Sequence, residues 1–219
     1  MKAGGVMSNT SIGRGEKGSK YWMQTLILNS QVHLLNAIKG QLPKIRAIKW
    51  KSPIATNNYK ELKTEDITEI KGAKLDFWPD NGPWWDAVGI ADDGAVLLVE
   101  AKAHITETIS KCKATSAKSQ SLIKASLMET HKRLAIKGHL YDAALWYSKY
   151  YQLANRLTFL NNLTSQGYNV KLILLNIIND PTYIKTSDVE WNNHYKDVFD
   201  KMLGCQNVPQ NVILLNIKV

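Results

Sequence analysis

The stretch PWWDAVGIADDGAVLLVEAK, residues 83–102, predicts a β-hairpin with charged groups on one face. Two apolar runs flank residues 92–94, a short loop with glycine where a left-handed residue is usually needed. The strand pairing that this loop sets places Asp86 opposite Glu100, as cross-strand neighbours. Side chains alternate along a strand, so Lys102 falls on the same face as Glu100. The three charged side chains are therefore expected to converge.

Two carboxylates that face each other on an apolar strand pair repel, so a positive group belongs between them. A hard divalent cation such as Mg²⁺ binds carboxylate oxygens, backbone carbonyls and water molecules. Asp86, Glu100 and the carbonyl of Ala101 could supply the protein ligands of such a cation. Lys102 alone could also neutralise the pair. The pattern favours a Mg²⁺ (or Mn²⁺) site without requiring one.

An Asp at the start of one strand, followed by Glu-x-Lys near the end of the next, resembles the PD-(D/E)xK nuclease superfamily. Asp86, Glu100 and Lys102 stand in the motif positions. The resemblance implies Mg²⁺-dependent hydrolysis of phosphodiester bonds. In this chemistry the two carboxylates hold the metal, and the lysine positions or activates the attacking water.

The alternative is that Asp86 and Glu100 end their strands at a solvated edge, with Lys102 as an ordinary surface charge. Both strands are apolar on both faces, however, which is typical of a sheet covered on each side. Charged groups in such strands usually serve chemistry or pairing. The composition of the hairpin therefore favours a functional cluster.

Residues 21–42 predict one helix with a buried apolar stripe that contains Gln31. In the superfamily, the first helix often offers an acidic residue to the metal, and this helix contains none. The resemblance implies that Gln31 takes that place and contacts the substrate. A core hydrogen bond, or a position at the edge of the stripe, is the open alternative for Gln31.

Residues 141–166 predict a long helix that ends at Gly167. Gln152 and Arg156 lie four residues apart beside its apolar stripe. The resemblance implies a helix after the Glu-x-Lys strand whose polar residues complete the site. Gln152 is accordingly expected to orient Lys102 or the water, and Arg156 to contact a phosphate. A solvated helix face is the alternative for both.

The order of the predicted elements indicates an α/β fold. Besides the hairpin and the helices above, we expect a first meander strand at residues 75–78, a helix at 119–137, strands at 170–178 and 211–218, and a helix at 187–203. This order agrees with the restriction-endonuclease-like αβββαβ core that the resemblance implies. Such a core is a central mixed sheet flanked by helices, and here a C-terminal helix and strand are added.

The charge of the chain favours a polyanionic partner, because its 28 Lys and Arg residues outnumber its 19 acidic residues and give a net charge of +9. Lys124 and Lys132, on the helix predicted at residues 119–137, are candidate phosphate contacts. A solvated helix face is an equal alternative. A basic segment at residues 39–51, which contains Trp50 between two lysines, is a second candidate for phosphate contact, and a solvated basic loop is the alternative.

Length and composition bound the remaining organisation. Residues 1–18 are expected to form a flexible segment, and residues 19–219 a single domain. Cys112 and Cys205 lie far apart without a metal-binding spacing, which argues against a disulfide framework or structural zinc. No apolar run reaches the roughly 18–20 residues of a membrane span. We therefore expect a cytoplasmic protein without a membrane partner.

The leading expectation is a metal-dependent nuclease, with DNA favoured over RNA as the nucleic acid. A catalytically inactive nuclease-like module that binds nucleic acid is the first alternative, favoured by the missing acid on the first helix. An interaction protein with a purely structural charged hairpin is the second. Many nucleases that cut both strands act as dimers, so a homodimer stays open.

Overall fold

The computed structural model describes residues 13–80 and 82–219, so most of the predicted flexible segment, residues 1–18, lies outside the described residues. The strands are β1 (Ile48–Ser52), β2 (Leu62–Lys63), β3 (Trp84–Trp85), β4 (Ala87–Ala91), β5 (Val96–Lys102), β6 (Val170–Ile178) and β7 (Val212–Lys218). The helices are α1 (Gly18–Asn29), α2 (Gln31–Gln41), α3 (Ala117–Leu134), α4 (Tyr151–Ser165) and α5 (Asp188–Leu203).

The centre of the fold is a five-stranded mixed sheet in the order β1-β4-β5-β6-β7, with β2 and β3 paired separately. Neighbours β1, β4 and β5 run antiparallel, whereas β5, β6 and β7 run parallel. The expected α/β class with a central mixed sheet is therefore confirmed.

Strands β4 and β5 form the predicted hairpin. Val88 pairs with Leu98, and Ile90 pairs with Val96, which is the register predicted from the loop. Gly94 has a φ of +81°, so it takes the left-handed conformation that the turn requires. Two residues further from the loop, the same register places Asp86 opposite Glu100.

The two faces of the sheet are covered by different helices, because successive side chains on a strand point to opposite faces. Leu97 and Val99 of β5 lie in a core with α1 and α2. Leu98 lies in a second core with α3, α4 and α5. Glu100 and Lys102 alternate with the first set and so face the second group of helices.

The first strand of the meander is β1, and the strand predicted at residues 75–78 is wrong. Lys49 and Lys51 alternate with apolar residues along β1, and this alternation was hidden within a segment that reads as basic throughout. Residues 75–78 instead form turns that bring apolar rings into the core. The Phe77 ring lies 5.0 Å from that of Phe159, between centroids.

Both long helices predicted from periodicity are interrupted. The first breaks at Ser30, between α1 and α2. The second begins with a π-helical segment, Ala144–Lys149, and continues as α4 only after Tyr150, which bridges to Ser110. The predicted buried stripes are nonetheless confirmed, because their apolar members are buried. These members are Met23, Ile27, Leu34 and Ile38 in the first, and Trp146, Tyr150, Leu153, Leu157 and Leu160 in the second.

The C-terminal elements form as predicted. Ser187 caps α5, because its Oγ accepts a hydrogen bond from the Glu190 backbone N–H while Glu190 accepts one from the Ser187 N–H in return. Strand β7 adds to the same sheet as β6, and α5 packs into the core on the face of Glu100. The added helix and strand are thus part of the wall around the charged hairpin.

The contact between β1 and β4 gives a stability prediction at Gly89. A Cβ atom there would lie 2.7 Å from Ile48 Cγ2 and 3.0 Å from the Trp50 ring. Gly89→Ala is therefore expected to lower the free energy of unfolding by about 1–3 kcal/mol, measured by urea denaturation. The matched control is Gly40→Ala on α2, where a Cβ meets nothing within 4 Å. Helix propensity should make that change stabilising by up to about 1 kcal/mol, and equal effects of the two variants would contradict the close contact.

Candidate active site

The open end of the hairpin brings three charged residues together. Asp86, between β3 and β4, accepts a hydrogen bond from the backbone N–H of Ala101 through Oδ2, at 2.7 Å. Glu100 and Lys102 are buried on β5, and the Lys102 ammonium donates to Glu100 Oε1. The predicted convergence is therefore present in the structure.

Arg156 of α4 closes the cluster from the opposite side. Its Nε and Nη2 both lie 2.6 Å from Glu100 Oε2, and Nη2 also donates to the Trp84 carbonyl at 2.8 Å. The guanidinium lies over the Trp85 ring, 4.8 Å from its centroid. Glu100 thus has a cation on each of its two oxygens, Lys102 on one and Arg156 on the other.

Burial and charge act differently on the two carboxyl groups. Burial, with the added repulsion of Glu100, raises the pKa of Asp86 to about 7. Burial also disfavours the charged form of Glu100, but Arg156 and Lys102 outweigh it and hold the pKa of Glu100 below its ordinary value. Glu100 is therefore a carboxylate at neutral pH, whereas Asp86 is close to its titration midpoint.

Lys102 is protonated in this environment. Burial lowers its pKa, but the negative charges of Glu100 and Asp86 outweigh burial and raise the pKa above the ordinary value. The side chain can consequently act as a hydrogen-bond donor and a positive charge. It is not available as a base near neutral pH.

Glu61 is a third carboxyl group near the cluster that the sequence analysis missed. Strand β2 pairs Leu62 with Trp85, so one step further along this register sets Glu61 opposite Asp86. Burial raises the pKa of Glu61, while the charge of Lys20 on α1 opposes the rise and Glu100 adds to it. The sequence feature that could have indicated Glu61 was an acidic residue just before a short strand, in a segment of mixed charge.

Gln152 lies near the cluster, at the start of α4. It lines a narrow cleft together with Glu100 and Lys102, and its backbone N–H donates to Ser110 Oγ at 2.8 Å. Ser110 is held to the same turn by two backbone hydrogen bonds, to Lys149 and from the N–H of Tyr151. The role of Gln152 in orienting Lys102 stays a prediction.

A histidine from α5 also lines this cleft. His194 shares the lining of this cleft with Glu100 and Lys102, and its Nε2 is 3.0 Å from the Thr108 hydroxyl. Burial lowers the pKa of His194, so the ring is neutral at pH 7. His194 was not predicted, because α5 lies outside the part of the chain that carries the resemblance.

The predicted position of Gln31 is wrong. The chain breaks at Ser30, so Gln31 begins α2 as an exposed residue, and α2 packs against β7, two strands away from β5. The buried glutamine of this region is Gln24, which bonds to the backbone of Gly13 and Gly15. The residue of α1 that acts on the cluster is Lys20, through Glu61.

The three predicted basic contacts have different surroundings. Arg156 is buried in the cluster as the partner of Glu100. Lys124 and Lys132 are exposed on α3, where Lys124 Nζ lies 5.1 Å from the centroid of the Tyr147 ring and Lys132 is 4.0 Å from a Glu129 oxygen. Their contacts with phosphate stay predictions.

The donor atoms of the cluster suit a hard cation. Within residues 13–80 and 82–219, no group of three or more His, Cys, Asp or Glu side chains is arranged to hold a metal ion. The predicted ligand set is smaller: the carboxylates of Asp86 and Glu100 and the Ala101 carbonyl. All are oxygen donors, which Mg²⁺ prefers, and the unfavourable ionisation of Asp86 is the kind of charge that a cation relieves.

No protein-family model, no curated protein and no solved structure matches the chain. In the part that the structure describes, none of the helices has both the length and the apolar character needed to cross a bilayer.

The raised pKa of Asp86 predicts a stability that depends on pH. Between its ordinary value of 3.8 and about 7, the folded protein binds more protons at this site than the unfolded chain. The stability that comes from the proton on Asp86 is therefore complete below pH 3.8 and is lost as the pH rises to about 7. Asp86→Asn removes this loss while keeping an acceptor for the Ala101 N–H.

In metal-free buffer, we expect Asp86→Asn to gain roughly 1–3 kcal/mol on the wild type between about pH 4 and pH 8, because the half-buried carboxyl is partly solvated. Urea denaturation at several pH values measures this gain. Asp200→Asn, exposed on α5, controls for the loss of one negative charge. A stability difference that is the same at all pH values would show that Asp86 is not strained by ionisation.

Proposed function

We propose that this protein is a metal-dependent nuclease that hydrolyses phosphodiester bonds of nucleic acid, with DNA as the first candidate substrate. The observation that carries the proposal is the convergence of Asp86, Glu100 and Lys102 at the open end of one hairpin. These side chains resemble the catalytic set of the PD-(D/E)xK nuclease superfamily in type, spacing and strand position.

The order of the elements supports the same proposal. Helices α1 and α2 precede a meander of β1, β4 and β5, then α3 and α4 lead to β6, which lies parallel to β5. This is the order expected of a restriction-endonuclease-like αβββαβ core, with α5 and β7 added. The short ribbon of β2 and β3 is inserted between the first two meander strands.

In the proposed reaction, Asp86, Glu100 and the Ala101 carbonyl would hold Mg²⁺. A bound Mg²⁺ supplies a water of lowered pKa and offsets negative charge on the phosphate. Lys102, protonated, donates a hydrogen bond to the attacking oxygen or to the phosphate and stabilises charge there. Gln152 orients this ammonium from the cleft, and Arg156 keeps Glu100 ionised and fixed.

Cleavage of labelled DNA and RNA in the presence of Mg²⁺ tests the proposal. Wild-type protein should cleave, chelation should abolish cleavage, and Glu100→Gln should lower the rate by at least about a hundredfold, because a neutral amide holds the cation poorly. Glu16→Gln, at an exposed position before α1, is the matched control and should retain the wild-type rate. Lack of cleavage by well-folded wild-type protein on every substrate would reject the proposal.

A second candidate is a nuclease-like module that binds nucleic acid without turnover. The observation that favours it is that Lys102 and Arg156 already occupy both oxygens of Glu100. If a metal cation cannot displace Lys102 or Arg156 from Glu100, the cluster is only structural. Binding of nucleic acid without cleavage would support this candidate. The homodimer stays a prediction under either function.

Mn²⁺ binding measured by calorimetry separates the two candidates. Asp86 must lose its proton to bind a cation. The affinity of the nuclease for Mn²⁺ should therefore rise about tenfold for each increase of one pH unit up to about pH 7, and change little above that pH. Asp86→Asn should abolish binding, whereas Asp200→Asn should leave it unchanged. Wild-type protein that binds no Mn²⁺ at pH 8 would favour the inactive module.

A further inference from the structure

A groove of about 960 Å³ opens between the segment of residues 109–119 and the start of α4. We propose that this groove binds a single strand of nucleic acid and leads it to the cluster of Asp86, Glu100 and Lys102. The assignment of that cluster as the cutting site rests on the proposed function. Gln152 connects the two regions, because it lines both the groove and the cleft that contains Glu100 and Lys102.

The rim of the groove is suited to phosphates. Four exposed polar residues line the groove and form what we call its rim: Lys111, Lys113, Thr115 and Ser116. The segment of residues 109–119 holds three lysines and no acid. None of the described residues that line the groove is acidic either. The charge of this surface therefore favours an anionic ligand and disfavours a cationic one.

Other residues that line the groove are apolar or aromatic, and we call this set its floor: Trp78, Tyr151, Ile109 and Ile123. Half-buried Tyr151 is stacked on Trp78, with ring centroids 6.4 Å apart and planes at 28°, and Ile109 and Ile123 continue the surface. Ile109 is 49 % exposed although it is fully apolar. The floor can therefore contact the bases of a nucleic acid, and the rim can contact its phosphates.

This combination favours a single strand over a duplex. In a duplex, the faces of the bases are stacked on their neighbours and the outer surface is sugar and phosphate, so the floor would have no matching group. A single strand can turn its bases onto aromatic and apolar side chains while its phosphates contact lysines. The same lysines could bind duplex phosphates, so the comparison of strand forms is part of the test.

The experiment measures binding of a short fluorescein-labelled DNA oligonucleotide, single-stranded or annealed to its complement, by anisotropy in EDTA. Wild-type protein should bind the single strand more tightly. Lys111→Gln/Lys113→Gln should weaken that binding by at least about tenfold and reduce the slope of log K against log salt by about 1.4, the loss of two single-strand phosphate contacts. Lys196→Gln/Lys218→Gln, exposed on α5 and β7, is the charge-matched control.

A second variant tests the floor without disturbing the core. Ile109→Asp adds a negative charge at an exposed position in the groove and should weaken single-strand binding. Val32→Asp makes the same change on α2, where Val32 is 73 % exposed on the other side of the sheet, and should have little effect.

Tighter binding of the duplex, or equal effects of the groove variants and their controls, would overturn the inference. Its failure can be told apart from failure of the proposed function. Cleavage with no dependence on the groove lysines would reject the groove and keep the nuclease. Groove-dependent binding of single strands without cleavage would keep the groove and reject the nuclease.

Discussion

The carboxylate of Glu100, held between Lys102 and Arg156 in a nearly dry interior, is the interaction on which the arrangement around it depends. Removing an ion pair from water is costly, and the attraction repays that cost only when the hydrogen-bond geometry is good. Arg156 meets this condition, because it also bonds the Trp84 carbonyl and Asn155 and stacks on an indole ring. Arg156 of α4 thereby links two strands, β5 through the Glu100 carboxylate and the start of β3 through the Trp84 carbonyl.

The prediction of the hairpin succeeded because a short turn fixes the register of everything that follows it. With Gly94 in the left-handed conformation, the pairing of β4 and β5 and the meeting of Asp86 with Glu100 follow from strand geometry alone. The apolar stripes of the helices were also readable, because burial repeats with the helical period. Both features are local, and local patterns are what a single sequence displays.

The errors and omissions are at places where distant segments decide the outcome. A helical pattern does not show a break such as Ser30, and the resulting change of direction carried Gln31 to the surface. Glu61 and His194 reach the cluster through the pairing of β2 with β3 and the packing of α5, neither of which leaves a periodic signal nearby. Strand β1 was missed because its lysines resembled those of a solvated loop.

The attachment of Ser110 to the start of α4 has a mechanical consequence. Three hydrogen bonds, from its own N–H, to its carbonyl and to its hydroxyl, hold this residue to the turn between the π-helical segment and α4. Ser110 lines the groove and Gln152 lines both the groove and the cleft, so these hydrogen bonds join the two sites directly. A polymer anchored by a phosphate in the groove would meet the carboxylates at a constant number of backbone units from the anchor. Under the proposed nuclease function, the separation between anchor and cluster would set the length of the fragments that are released.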